Sequence, residues 1–190
     1  MASPVDSGRT AALSLQLSQA HNELRRRLAN VRAGLGRRTR PDDALLTHCL
    51  AFCTALANHH QGEDEGLFTA LVRERPDLAP TVARLLEDHG LITGILTRVR
   101  ELAETAARWP GEPGEPGASG ESAESGSGES GEPGADLAAI GRELDGLAAI
   151  VESHFGYEER AIGAALDAGA GGDGGGDEGW REPVLRFRTP

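Results

Sequence analysis

Nowhere does this 190-residue chain run for the roughly 18 apolar residues that a membrane span requires. Its start, MASPVDSGRT, also lacks the basic stretch leading into an apolar one that marks a secretory signal. The expectation is a cytoplasmic protein with no membrane partner. Lysine is absent, and all nineteen basic residues are arginine. With abundant Ala, Gly and Pro, this is the composition expected of a GC-rich bacterial genome. Thirty acidic residues outnumber the arginines and leave a formal net charge of -11. A nucleic-acid backbone is bound by clustered positive charge, so nucleic acid is excluded as an expected partner. Aromatics amount to 4% and runs of Val and Ile are missing, which disfavours strands. Cysteine occurs only at Cys49 and Cys53, one helical turn apart, which suits neither a disulfide framework nor a Cys-x-x-Cys motif. Two reduced, half-buried thiols filling small spaces in a core are expected.

What is present is helical. Ala, Leu, Glu and Arg dominate the patterned parts, and a hydrophobic content of 38% is enough for one core of ordinary domain size. Periodicity places helices over about 10–35, 42–74, 78–108 and 136–167. Gly34 and Gly36 close the first, Pro41 lies at the start of the second, Pro76 and Asp77 separate the second from the third, and Pro110 with Gly111 ends the third. All connections but the last are short, so neighbours should run antiparallel. The predicted fold is an all-α, up-down-up-down four-helix bundle over residues 10–167. Residues 110–135, PGEPGEPGASGESAESGSGESGEPGA, carry Gly at every third place for several triplets, but the period breaks at Ala123 and again after Gly126. So short and interrupted a stretch cannot sustain a triple helix and reads as a disordered insertion. Residues 168–190 read as a flexible tail. Its apolar Trp180, Val184, Leu185 and Phe187 alternate with Arg, which fits a docking peptide or a frayed end, and no protein partner is identified.

The inward stripes contain more than apolar residues. The first helix aligns Leu17, His21, Leu24, Leu28, Val31 and Leu35, and the second aligns Leu45, Cys49, Phe52, Leu56, His59, Glu63, Leu67 and Ala70. The third aligns Val82, Leu85, His89, Ile92, Leu96 and Val99, and the fourth Ile140, Leu144, Leu147, Val151, His154 and Glu158. Burying unpaired imidazoles and carboxylates costs several kcal/mol, and a bound metal compensates. His59/Glu63 and His154/Glu158 are each four apart, which puts both side chains on one helical face. They belong to a repeated segment, HHQGEDEGLFTAL at 59–71 and HFGYEERAIGAAL at 154–166. Counted at 1.5 Å per residue from the helix ends, the four histidine positions fall at one depth within about a turn. Ligands of nitrogen and oxygen without thiolate suit iron, manganese or zinc, and two Glu able to bridge point to two ions. Two iron ions are expected, with manganese or zinc as alternatives.

The ordered set His21, then His59-His60-x-x-Glu63, then His89, then His154-x-x-x-Glu158 resembles the hemerythrin-like (HHE cation-binding) family over about 10–108 and 136–167. The resemblance implies a non-haem di-iron centre that binds dioxygen, nitric oxide or peroxide. By that likeness His21 and His59 would bind one iron, His89 and His154 the other, and Glu63 and Glu158 would bridge them. Two departures matter: Thr93 stands where the oxygen carriers have a second histidine on the third helix, and Glu158 stands where they have Asp. His60, beside His59, occupies a position where some members place an additional ligand, and either restores the missing histidine to the second metal or is a partly exposed residue hydrogen-bonded to water. Reversible oxygen carriage is therefore not expected. A sensor or binding protein for a small ligand (O2, NO or peroxide) is, with a di-iron enzyme that decomposes hydrogen peroxide through an open position at Thr93 as the alternative. A metal-free structural bundle is argued against by the inward His and Glu array.

The remaining polar residues have blander readings. His48 falls beside its stripe, at the surface. Asp64, Glu65, Glu87, Asp88 and Glu159 fit either solvated faces or partners that orient imidazole N–H groups. Tyr157 borders the pocket or merely packs. Arg25, Arg26 and Arg27 read as the solvated face of the first helix.

Overall fold

Alternating three- and four-residue steps between apolar residues wind each segment into a helix with one oily face. The computed structural model describes residues 12–37, 43–108 and 133–169, and among these it contains helices and turns but no strand. The helices are α1 (Ala12–Leu35), α2 (Asp43–Gly62), α3 (Phe68–Glu74), α4 (Ala79–Arg108) and α5 (Pro133–Gly169). A π-helical turn, Glu63–Leu67, joins α2 to α3 without a break, so the two form the single rod expected over 42–74. A 3-10 turn, Pro76–Leu78, leads into α4. Pro133 opens α5 at the one helical position where its missing N–H is no loss. Residues 133–135, expected in the insertion, and 168–169, expected in the tail, are therefore helical. The rest of both stretches lies outside the described residues. No helix among the described residues is long and apolar enough to cross a membrane.

Four rods pack as a square, α1 against α2 and α5, and α4 against α2 and α5. Arg32 meets Asp145, Arg25 meets Glu152 and His21 meets Glu159. The partner's number falls as the α1 number rises, as it must when α1 and α5 are antiparallel. At the closed end of α1 and α2 the rods approach so tightly that a Cβ on Gly34 would stand 3.0 Å from Leu45 Cδ1, and glycine is what permits that approach.

The core is divided along the bundle axis. On one side Leu24, Leu28, Val31, Leu56, Ile92, Leu96, Leu144, Leu147, Val151 and Phe155 belong to a large cluster that also takes in Cys49 and Cys53. On the other, Leu17, Leu67, Phe68, Leu71, Val82, Leu85 and Ile162 form a smaller one. Each such side chain contributes about 1.5–3 kcal/mol on burial. Both cysteines are free and fully buried, not half-buried as their spacing suggested, because the α2 face around Phe52 and Leu56 is enclosed by two neighbouring rods.

Candidate metal centre

Between the two clusters lies a polar layer. Moving along α1 the core runs Leu17, His21, Leu24; along α4 it runs Leu85, His89, Ile92; along α5 it runs Val151, His154, Glu158, Ile162. The buried polar residues among those described are His21, His59, His60, Glu63, His89, His154 and Glu158, and all of them lie in this layer. These are the seven residues singled out in the sequence, and the structure brings all of them together.

Their ligand-type atoms fall into interlocking groups. His21, His59 and Glu63 form one, His60, His89 and His154 a second, and Glu63, His89 and Glu158 a third, with the donor atoms of each group within 4.8 Å of one another. Glu63 links the first two. Its Oε1 is 3.0 Å from His59 Nε2 and 3.8 Å from His21 Nε2, while its Oε2 faces His89 Nε2 at 3.8 Å. Glu158 spans the same gap from the opposite rod, with Oε2 at 3.4 Å from His21 Nε2 and 3.6 Å from His154 Nε2. His60 stacks on His89 with ring centroids 3.9 Å apart and so belongs with the second group. Thr93 is exposed and does not border the layer. The third imidazole of this group, His60, comes from the neighbouring rod.

The π-helical turn begins at Glu63, the last of the three cluster residues that this rod supplies, and re-phases the residues beyond it. The Phe68 N–H bonds to the Glu63 carbonyl, five residues back, and the Thr69 hydroxyl donates to the Asp64 carbonyl at 3.2 Å. This extra residue per turn rotates everything after it. Phe68 and Leu71 thereby face the core alongside Leu67, and Phe68 packs on His89 at 5.5 Å between centroids.

A ring of carboxylates surrounds the layer. Each is adjacent in sequence to a cluster residue, about 100° round its helix, and reaches a histidine on the next rod. Asp64 Oδ1 accepts the Nδ1 proton of His89 at 2.6 Å, Asp88 Oδ2 that of His154 at 3.4 Å, and Glu159 Oε1 that of His21 at 2.8 Å. A carboxylate can only accept, so each of these rings carries a proton on Nδ1 and directs its Nε2 into the layer. Glu65 and Glu87, which shared the same two readings, are exposed.

These features amount to a test of whether a cation fits. The Nε2 atoms of His89 and His154 stand only 2.9 Å apart inside the layer. Both oxygens of Glu63, both of Glu158 and both ring nitrogens of His60 are buried without a hydrogen-bond partner. Such groups are costly to leave bare, and cations held among them would satisfy the carboxylate oxygens and one nitrogen of each imidazole. The protonation balance carries the same strain. Burial, followed by the nearby Glu158 charge, pushes the Glu63 carboxyl well above its ordinary range. Burial opposes a charge on His21, but Glu158 and Glu63 beside the ring outweigh it and raise the group to about 9. Burial, reinforced by the surrounding histidines, holds His59 and His60 far below the ordinary imidazole value, and burial also lowers His154. Nitrogen and oxygen donors in this number can hold a metal ion.

Two neighbours of the cluster were not visible in the sequence. Phe155 stacks on His21, with centroids 3.8 Å apart and planes within 5°, and also touches the rings of His59, His60 and His154. Arg25, expected in solvent, turns inward across Phe155. Of the other candidates, His48 is exposed as expected, and Tyr157 packs half-buried beside the smaller cluster, beneath the Arg84 guanidinium.

No curated protein and no solved structure gives a match to this chain. Residues 14–166, which span all four rods and the whole polar layer, match the family described as Hemerythrin HHE cation binding domain. With a layer of histidines and glutamates able to hold a metal at its centre, the chain belongs to the hemerythrin HHE cation-binding family.

Proposed function

We propose that the layer holds two iron ions, one against His21 and His59 and the other against His60, His89 and His154, with Glu63 and Glu158 bridging them. The observation that carries this reading is the sharing of both carboxylates: each faces histidines of both groups, at 3.0–3.8 Å for Glu63 and 3.4–3.6 Å for Glu158. Paired carboxylates from facing helices of a bundle, combined with imidazoles and no thiolate, favour two redox-active ions over one or over zinc.

The two subsites are unequal. Two imidazoles serve the first and three the second, so the His21/His59 subsite has fewer protein donors and is the place for an exogenous molecule. On this basis the protein binds or senses a small ligand, O2, NO or peroxide. Bound there, the iron pair supplies a redox-active centre to which such a ligand attaches. The chain contributes apolar clusters above and below the layer that exclude water, and carboxylates that hold the imidazoles by their Nδ1 protons. A cytoplasmic setting, where thiols stay reduced, accords with the two free cysteines of the core.

The same unequal subsites admit a second reading, catalytic decomposition of hydrogen peroxide. Metal analysis followed by addition of NO or peroxide distinguishes the two. A stoichiometric spectral change without oxygen release supports binding, whereas repeated oxygen release selects the enzyme. A stable bundle that never takes up metal would sink both.

A further inference from the structure

Arg25 lies one turn along α1 from His21; its Nη1 also donates to Asn22 Oδ1 at 3.3 Å, and two of its other contacts reach groups that touch the His21 ring. Its Nη1 donates to Glu159 Oε1 at 3.1 Å, the oxygen that also accepts the His21 Nδ1 proton at 2.8 Å. Its Cζ lies over the Phe155 ring, 5.2 Å from the centroid, and that ring is stacked on His21 at 3.8 Å. Its Nε donates to Glu152 Oε2 at 2.9 Å and ties the side chain to α5. One guanidinium therefore holds His21 along its edge, through Glu159, and over its face, through Phe155.

Nothing comparable backs the other histidines. Asp64 holds His89 and Asp88 holds His154, but among the described residues no arginine reaches either carboxylate. Nor is Arg25 an ordinary surface pair. Its side chain is 23% exposed, against 42% for Arg32 and 54% for Arg98, which bond only to exposed or half-exposed acids. Exposed pairs of that kind contribute little. A flat guanidinium can bond two carboxylates through separate N–H groups while lying across an aromatic face, whereas a lysine ammonium is a point charge that cannot do all three.

Resting on the two-metal reading, we propose that Arg25 is a positioning residue for one subsite: it fixes His21 with Nε2 turned into the layer and so secures metal at His21 and His59, but not at His60, His89 and His154. The His21 subsite is the sensitive one, because with two imidazoles it loses half its nitrogen donors if that ring turns away.

The test is a calorimetric titration of the metal-stripped, full-length chain with cobalt(II), comparing wild type with Arg25→Ala, Arg25→Lys, Glu159→Gln and the surface control Arg98→Ala. Wild type and Arg98→Ala should take up two equivalents. Arg25→Ala should bind one equivalent with wild-type affinity and the other about 10–100-fold more weakly, the usual effect of removing an outer partner of a metal ligand. Arg25→Lys and Glu159→Gln should weaken the same equivalent by less. Helical content and metal-free melting temperature matching those of Arg98→Ala separate this from loss of fold, and if Arg25→Ala does not fold, Arg25→Lys carries the comparison. Equal weakening of both equivalents, or of neither, overturns the role of Arg25. A wild-type chain that takes up fewer than two ions overturns the two-metal reading itself.

Discussion

The Nε2 atoms of His89 and His154 approach to 2.9 Å while their Nδ1 atoms are bound on the far side of each ring by Asp64 and Asp88. Two ring nitrogens so placed can serve one cation together. His89→Ala should therefore lose metal from its subsite and, with it, the stability that metal confers, measured as metal content and melting temperature of the loaded protein. His48→Ala, at an exposed position of α2, should change neither. Equal metal content in the two variants would refute the assignment.

The carboxylate ring should matter in proportion to the bonds it makes. Asp64→Ala removes the 2.6 Å acceptor that fixes the His89 tautomer and should weaken metal binding about 10–100-fold, whereas Glu65→Ala, next along the chain but exposed, should leave it unchanged. Competition against a chelator of known affinity reads the difference.

The metal-free bundle should have an unusual pH profile. His21 is raised from 6.5 to about 9, so its contribution is fully present below pH 6.5 and is lost as pH rises through about 9; the raised Glu63 acts in the same direction. His59, His60 and His154 are lowered, so they are less protonated folded than unfolded and take stability away as pH falls below 6.5. Stability should peak near neutrality and fall by on the order of a few kcal/mol toward about pH 9.5. Urea midpoints across this range check it. Bound metal, a cation that needs no proton, should remove most of the alkaline loss, and an unchanged loss in the loaded protein would count against the site.

Helix α5 carries Gly146 at an exposed position where an added Cβ meets nothing within 4 Å. Gly146→Ala should stabilise the bundle by about 0.5–1 kcal/mol, a rise of roughly 1–4 °C in melting temperature, and leave metal content as it was. A decrease would mean that this face of α5 is covered by something outside the described residues.

Much of this was legible from periodicity, and what was not has identifiable reasons. Every stripe residue from Leu17 to Glu158 is buried, because a three- and four-residue pattern encodes a helical face directly. Phe68 and Leu71 were missed because the π-helical turn inserts a residue; the apolar phase on the two sides of EDEGL differs by one, a signal present in the sequence. Arg25 was misread because its partners Glu152 and Glu159 lie far along the chain, and local pattern makes a charged residue beside Arg26 and Arg27 look solvated. The two readings of Asp64, Asp88 and Glu159 stayed open for the same reason: which rod each one faces is decided by packing. Thr93, the place where the resembled oxygen carriers have a histidine, is exposed, because the α4 face that meets the cluster passes from His89 to Ile92.

The most direct measurement is the metal content of the full chain purified without added metal and then titrated to saturation with iron(II) under anaerobic conditions. The account predicts two ions per folded chain, with Glu63→Ala reducing the uptake of both because that carboxylate faces both histidine groups. A folded, helical chain that saturates at no metal or a single ion would contradict it.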